Sequence, residues 1–312
     1  MRDNYLVKTA SRKTELDIDG RKLLVSNLDK VLYPKTGFTK GQVIDYYISI
    51  SRVLLPHLKN RPITLKRYPD GVDGFFFYEK QCPLHRPGWV KTTAVPSERR
   101  GKPIDYCVMN DLAALVWAAN LADLELHTFL HRAPAITRPN YLAFDLDPGP
   151  PADIILCCKV GLWLKAFFDQ LGIECFAKTS GSKGLQIFLP LNTRTGYEKT
   201  KPFARAVAER MEREHPEEIV SKMQKSLRTG KVLIDWSQND EHKTTVSVYS
   251  LRATDHPTVS TPVTWKEIEQ TARSKDPFWL VFEAEEVLER AAKQGDLFAP
   301  VLTLKQHLPA SA

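Results

Sequence analysis

Long apolar runs are missing from this 312-residue chain. The longest charge-free stretch of note, residues 112–122 between Asp111 and Asp123, falls well short of the ~20 residues that a membrane-spanning helix requires. No membrane helix is expected. The first thirteen residues carry basic side chains with no apolar stretch behind them, so they do not read as a secretory signal, and a cytoplasmic location is expected. Cysteine is also scarce: five residues, an odd number, argue against a disulfide framework and for reduced thiols. Cys157 and Cys158 are adjacent in an apolar run and read as core. Cys82 and His85 have the spacing of half a zinc site, but no second pair follows, and no zinc is expected. Repeats and low-complexity blocks are absent, and 43% hydrophobic with 26% charged residues excludes wholesale disorder, collagen and coiled coil. Acidic excess is lacking too. Lys and Arg number 44 against 37 Asp and Glu, and the net charge of +7 is a mild bias towards polyanionic partners.

The length suits two domains or one large fold. Residues 1–20 are polar and are expected to form a loosely attached arm. Thr39 and Gln42 make a capping box, and Val43, Tyr46, Tyr47, Ile50, Val53 and Leu54 recur at helical spacing until Pro56. Two extended runs, 62–68 and 74–80, flank Pro69-Asp70-Gly71 and read as a hairpin. A helix over 111–122 leads into an extended segment, 124–130, that carries His127. A strand over 140–147 ends at Pro148-Gly149-Pro150-Pro151, after which Asp153 caps a helix through Leu171, closed by Gly172. Strands 174–179 and 185–189 flank a Ser-Gly-Ser-Lys-Gly loop. A charged helix over 201–214, strands over 231–236 and 244–251, and a helix opened by the Thr264/Glu267 capping box and ended before Gly295 complete the pattern. This interleaving of hairpins and helices predicts an α/β (α+β) fold with a mixed, largely antiparallel central sheet flanked by helices.

Asp145 and Asp147 stand two apart on an apolar strand, so both carboxylates point to the same face. Either they only terminate the strand, or a cation sits between charges that would otherwise repel. Asp235 follows Val232, Leu233 and Ile234, an apolar run that ordinarily excludes a carboxylate. Three acidic groups on strands are the usual requirement for holding two divalent ions for phosphoryl chemistry, and all-oxygen ligation suits Mg²⁺ or Mn²⁺. In Ser180-Gly181-Ser182-Lys183-Gly184 the glycines admit an anion to backbone N–H groups, the hydroxyls donate and Lys183 adds a charge. Alone, the loop reads as a surface hairpin. It is not a Walker A loop, because the spacing and the following helix are missing. Carboxylates beside a phosphate cradle point to nucleotidyl transfer. Phe75, Phe76, Phe77 and Tyr78 alternate along the second hairpin strand, so one pair is expected in the core, while the other either is structural as well, the plainer reading, or stacks on bases.

The order Asp145-x-Asp147, Ser180-Gly-Ser-Lys183-Gly-Leu and Ile234-Asp235-Trp-Ser-Gln238-Asn resembles the three motifs of the archaeo-eukaryotic primase superfamily. Asn27-Leu-Asp-Lys30-Val-Leu-Tyr-Pro, Arg61-Pro-Ile-Thr-Leu-Lys66-Arg67, Pro69-Asp-Gly-Val, Leu124-Glu-Leu-His127 and Tyr249-Ser-Leu-Arg252 are, more narrowly, similar to the polymerase domain of bacterial ligase D, which serves non-homologous end joining. The similarity spans about residues 22 to 308. It implies a single primase-like polymerase domain over 21–308, between the arm and a tail of 309–312. It also implies two Mn²⁺ or Mg²⁺ ions, gap filling and end extension during double-strand break repair, and a preference for ribonucleoside triphosphates over dNTPs. By this match Asp145, Asp147 and Asp235 are metal ligands, and Ser180, Lys183 and Arg252 hold the triphosphate. Lys66, His127, Arg228 and Gln238 line the nucleotide and primer pocket. Phe77 and Tyr78 lie near base and sugar, with Tyr where Phe is usual. Asn27, Lys30 and Lys40 form the pocket for the 5′-phosphate of a broken DNA end. A Ku-like partner and a ligase domain or separate ligase are implied, as is association with the nucleoid.

One departure concerns Gln186, which stands where the family usually carries His, so that a contact able to carry charge becomes a neutral amide. No Lys-x-Asp-Gly of the adenylate-accepting kind is present, so sealing would need another polypeptide or segment. Two other classes compete with the polymerase: a metal-dependent nuclease, which has no use for a triphosphate cradle, and a non-catalytic end-binding scaffold, which does not need three aspartates.

Overall fold

A computed structural model describes residues 13–97 and 100–309. Two six-stranded sheets face one another, and their strands come from alternate stretches of the chain. The first runs in the order Ile219–Val220, Val232–Asp235, Tyr141–Pro148, Leu185–Pro190, Phe176–Thr179, Pro262–Val263. Every neighbour pair is antiparallel except the first. The second runs Thr245–Val246, Asp123–Thr128, Pro62–Arg67, Ile104–Val108, Lys91–Val95, with Phe77–Glu79 also paired to Pro62–Arg67.

The period-two alternation of the first sheet divides its two faces. Leu142, Phe144, Leu146, Leu185, Ile187, Leu189, Val232 and Ile234 enter one apolar core beneath the helices Ile154–Gln170 and Tyr197–Glu214. Asp145, Asp147, Gln186 and Asp235 are thereby turned to the opposite face, towards the second sheet. A second core packs the helices Lys40–Leu58 and Leu112–Asn120 against that sheet. The expected caps form: Thr39/Gln42 and Thr264/Glu267 are reciprocal capping boxes, and Asp153 accepts from Ile155 N; Asp111, expected inside its helix, instead caps it by accepting from Ala114 N.

Several sequence expectations need correction. Residues 13–20 are not a loose arm, because Lys13–Ile18 pairs antiparallel with Arg21–Ser26; residues 1–12 and 310–312 lie outside the described residues. The helix expected to stop at Pro56 continues to Leu58, since a proline in the last turn forfeits one bond while His57 and Leu58 are buried behind it. The charged helix begins at Tyr197, whose hydroxyl meets His131 Nδ1 at 2.9 Å. The C-terminal helix is two helices, Trp265–Arg273 and Ala284–Gln294, interrupted by the segment containing Pro277. The strand expected over 244–251 is only Thr245–Val246, because Tyr249 takes a left-handed φ of 62° that no strand accommodates. Finally, the thiols are not all reduced: Cys82 and Cys107 form a disulfide, brought together where Cys82 N donates to Asp105 O at 2.6 Å. Cys157, Cys158 and Cys175 are free and buried.

Candidate active site

The antiparallel register places Asp145 directly opposite Asp235 on one side and Gln186 on the other, while Asp147 lies two residues along on the same face. Asp145, Asp147 and Gln186 floor a cavity of about 310 Å³ that is also lined by His127, Ser180, Lys183, Gln238 and Arg252, while Asp235 lies behind Gln238, outside its lining. Burial and the neighbouring Asp235 and Asp147 charges push the Asp145 carboxyl up to about 6, against the opposing pull of Gln186 and Lys178. A cation would relieve that crowding.

The carboxylates are not gathered round a vacant point. Among the described residues no group of three His, Cys, Asp or Glu side chains encloses an ion site. Asp235 accepts from Ser237 N at 2.9 Å, Ser237 Oγ at 2.5 Å and Gln238 Nε2 at 2.9 Å. Asp147, at the mouth, pairs with Arg228 at 3.4 Å. The donor set nonetheless fits a hard divalent ion, being all oxygen and carried on two directly paired strands.

The Ser180–Gly184 loop is tighter than expected. Ser180 Oγ accepts from Gly184 N at 3.0 Å and Ser182 N at 3.2 Å, so these amides are occupied rather than presented to an anion. Gly184 is obligatory: a Cβ there would meet Leu146 O at 2.1 Å. Gly149 is constrained likewise, since its Cβ would stand 1.9 Å from Arg228 O. Lys183 is exposed and has no hydrogen bond or ion pair among the described residues, which leaves its ammonium free for a ligand. Arg252 donates to the Ser180 carbonyl and thereby ties the loop to the opposite wall.

Facing the carboxylates across the cleft is a cluster centred on Glu125, a residue of the Leu124-Glu-Leu-His127 segment to which the sequence alone assigns no role. Its carboxylate, almost fully buried, meets His127 Nε2 at 2.8 Å, Lys66 Nζ at 3.1 Å and Arg252 Nε at 3.4 Å. Burial alone would raise its pKa, but the His127 hydrogen bond and the Arg252, His127 and Lys66 charges hold it well below the usual carboxylate range. His127, in turn, is lowered by burial, against the pull of Glu125. The alternation of Glu125 and His127 on one strand face was the available signal.

The aromatic run is a strand only over Phe77–Glu79, and neither of its pairs is core: Phe75, Phe76 and Tyr78 are exposed. Alternation still separates them. Phe76 stacks on Tyr68 at 5.2 Å and contacts Tyr78, whereas Phe75 stacks on Phe77 beneath Arg67. Tyr78 stands edge-on to His127 at 5.9 Å, beside Lys66.

Asn27, Lys30 and Lys40 lie apart from this cavity, at the start of the first helix. Lys30 Nζ is engaged by Pro69 O at 2.5 Å and Asp70 Oδ1 at 3.2 Å, and Lys40 Nζ by Ser26 O at 2.7 Å. The helix N-terminal amides are also used, Lys40 N on Lys30 O and Gly41 N on Leu28 O, both at 2.8 Å, so these two are not open to an anion. The cations do converge: burial, Lys30 and Arg67 together bring Lys40 down to about 8.

Comparison with known proteins agrees with this geometry. Residues 39–298 match the family model described as LigD, primase-polymerase domain. The multifunctional non-homologous end joining protein LigD of Mycolicibacterium smegmatis is 40% identical over 283 residues, covering 89% of this chain and 36% of that protein. The bifunctional LigD of Bacillus subtilis is 32% identical over 292 residues, 93% of this chain and 46% of that one. The chain thus spans less than half the length of these curated relatives. Among solved structures, the polymerase domain of Mycobacterium tuberculosis ligase D in complex with DNA superposes with a TM-score of 0.83 at 37% identity, covering 91% of this chain and 99% of that one. The chain therefore belongs to the LigD primase-polymerase domain family.

Proposed function

We propose that residues 21–308 act as one nucleotidyltransferase that fills gaps and extends ends during the joining of double-strand breaks, with a preference for ribonucleotides over dNTPs. The observation that carries this reading is the direct pairing of Asp145 with Asp235, with Asp147 on the same face, opposite the free ammonium of Lys183. Asp145, Asp147 and Asp235 would hold Mn²⁺ or Mg²⁺, and such ions lower the pKa of an attacking hydroxyl and stabilise charge on the leaving phosphate. The remaining work falls to the chain's own groups. Lys183, Ser180 and Arg252 bind the triphosphate by charge-assisted contacts. Lys66, His127, Gln186, Arg228 and Gln238 line the nucleotide and primer. The exposed Tyr78 and the half-buried Phe77 offer aromatic faces on which a base can stack whatever its sequence.

Lys30 and Lys40, with Asn27, are the candidate 5′-phosphate pocket, because two converging lysines beside Arg67 are relieved by a dianion. Ku and a ligase, as domain or separate chain, are the partners this reading requires, at the nucleoid. No helix among the described residues is long and apolar enough to cross a membrane. The deciding experiment incubates the protein with a gapped duplex, Mn²⁺ or Mg²⁺, and each NTP or dNTP. Template-directed extension, better with NTPs, supports the proposal. Shortening of the primer would make the protein a nuclease, and binding without either would make it a scaffold.

A further inference from the structure

Lys178 is fully buried at the end of Phe176–Thr179, and it lies in a cross-strand row that the site motifs do not include. Its register partner is Gln186, Gln186 pairs with Asp145, and Asp145 pairs with Asp235, so four side chains on four adjacent strands line one face. Lys178 Nζ donates to Gln186 Oε1 at 2.5 Å and to Ser260 Oγ at 2.6 Å. Ser260 spends its own proton on Thr179 O at 2.8 Å, so its oxygen can only accept from the lysine. The same logic fixes the amide of Gln186: its oxygen accepts from Lys178, and its Nε2 donates one hydrogen to Thr245 Oγ1 at 3.2 Å, leaving the second for Asp145, its directly opposed neighbour on the next strand. No carboxylate comes within ion-pair distance of Lys178 among the described residues. Burial pushes the Lys178 ammonium well below the usual lysine range, and keeping an amine there costs free energy relative to an apolar side chain of similar size, so packing alone does not account for it.

We propose that Lys178 is a positioning residue for Asp145, acting through Gln186 as a neutral relay that accepts from the lysine and donates towards the carboxylate row. This deepens, and rests on, the nucleotidyltransferase reading given above. It also accounts for Gln186 where the family usually carries His. A neutral imidazole accepts at one ring nitrogen and donates from the other, as the amide does with its oxygen and nitrogen, and a protonated ring would offer Lys178 no acceptor. Both side chains can therefore link Lys178 to the row without carrying charge, although only the amide has a second N–H for Thr245.

The test compares wild type with Lys178→Met, Gln186→Leu, Gln186→His and the Lys178→Met/Gln186→Leu double variant. Mn²⁺ binding in the presence of nucleotide is followed by electron paramagnetic resonance, alongside kcat and KM on a gapped duplex, DNA affinity and the melting temperature. Loss of a residue that orients a metal ligand is expected to weaken Mn²⁺ binding by about ten- to a hundredfold. Both single apolar variants should show that loss with DNA affinity retained, and the double variant should be no worse than either single one, because the residues act as one unit. Gln186→His should recover most of what Gln186→Leu loses. Wild-type Mn²⁺ binding in Lys178→Met, additive losses in the double variant, or a Gln186→His variant as impaired as Gln186→Leu would each overturn the relay. Should Lys178→Met fail to fold, the contrast between Gln186→His and Gln186→Leu still decides. A wild-type protein that neither binds Mn²⁺ nor extends a primer would instead refute the parent reading.

Discussion

Replacing Glu125 by Gln removes one charge and almost no volume, and it removes the anion that three side chains share. Lys66, His127 and Arg252 all reach that carboxylate within 3.4 Å, and their side chains are 13%, 13% and 18% exposed. Glu125→Gln leaves two permanent cations facing each other in a poorly solvated space with only an amide between them. Removing one partner of a buried ion pair costs about 3–5 kcal/mol. That is a large part of the stability of an ordinary domain, and for a chain of this size each kcal/mol lowers the melting temperature by roughly 2–4 °C. A drop on the order of 10 °C is expected. Urea unfolding at neutral pH, analysed by linear extrapolation, measures the free energy directly. The sign with pH is fixed. A carboxylate depressed in the folded state contributes stability above its unfolded value of about 4.3, and that contribution fades as pH falls towards the folded value. Wild type and Glu125→Gln should therefore differ most at neutral pH and converge in acid. A difference below about 1 kcal/mol at pH 7 would refute the reasoning, since that is the worth of an exposed pair.

Asp235→Ala should abolish extension while DNA binding is largely retained, and extension in that variant would sink the metal assignment. Lys183→Ala removes a charge-assisted contact of about 1.5–3 kcal/mol, so kcat/KM for ATP and GTP should fall roughly ten- to a hundredfold; unchanged efficiency would return the loop to a plain hairpin. A gapped duplex with a 5′-phosphate should bind more tightly than one with a 5′-hydroxyl, and Lys30→Ala/Lys40→Ala should erase the difference at two salt concentrations. Burial, Arg61 and His242 lower His131 to about 3, so the neutral ring stabilises the fold above about pH 6.5 and that support is lost as pH falls towards 3. Between pH 6 and 4 the wild type should lose about 1.4 kcal/mol per pH unit more than His131→Gln, and parallel stability curves would contradict this.

The parts of the site written in local spacing were legible. Asp145 and Asp147 share a face because a strand repeats every two residues, and the two capping boxes declare themselves three residues apart. The pairing of Asp145 with Asp235 is long-range, and no periodicity contains it. Lys178 reads in sequence as an ordinary charge at a strand end, and only the closing of Pro262–Val263 and Ser260 over it makes it buried. Cys82 and Cys107 are 25 residues apart, in a chain whose odd cysteine count pointed the other way. The first amides of the Lys40–Leu58 helix are spoken for as well, because the preceding turn folds back and its carbonyls accept from them, a contact that no local spacing announces.

The close approaches at Gly149 and Gly184 set limits on how this catalytic face can be redesigned. At both positions a backbone carbonyl occupies the space of a β-carbon, Arg228 O at 1.9 Å and Leu146 O at 2.1 Å. Any other residue there must push apart the segments that carry Arg228 and Asp147, or Ser180 and Asp145. Neither glycine therefore belongs in a mutant library aimed at new nucleotide specificity. Ser182, exposed beside the second of these glycines, is the position at which such a library can be diverse without disturbing the carboxylates or the proposed triphosphate contact of Lys183.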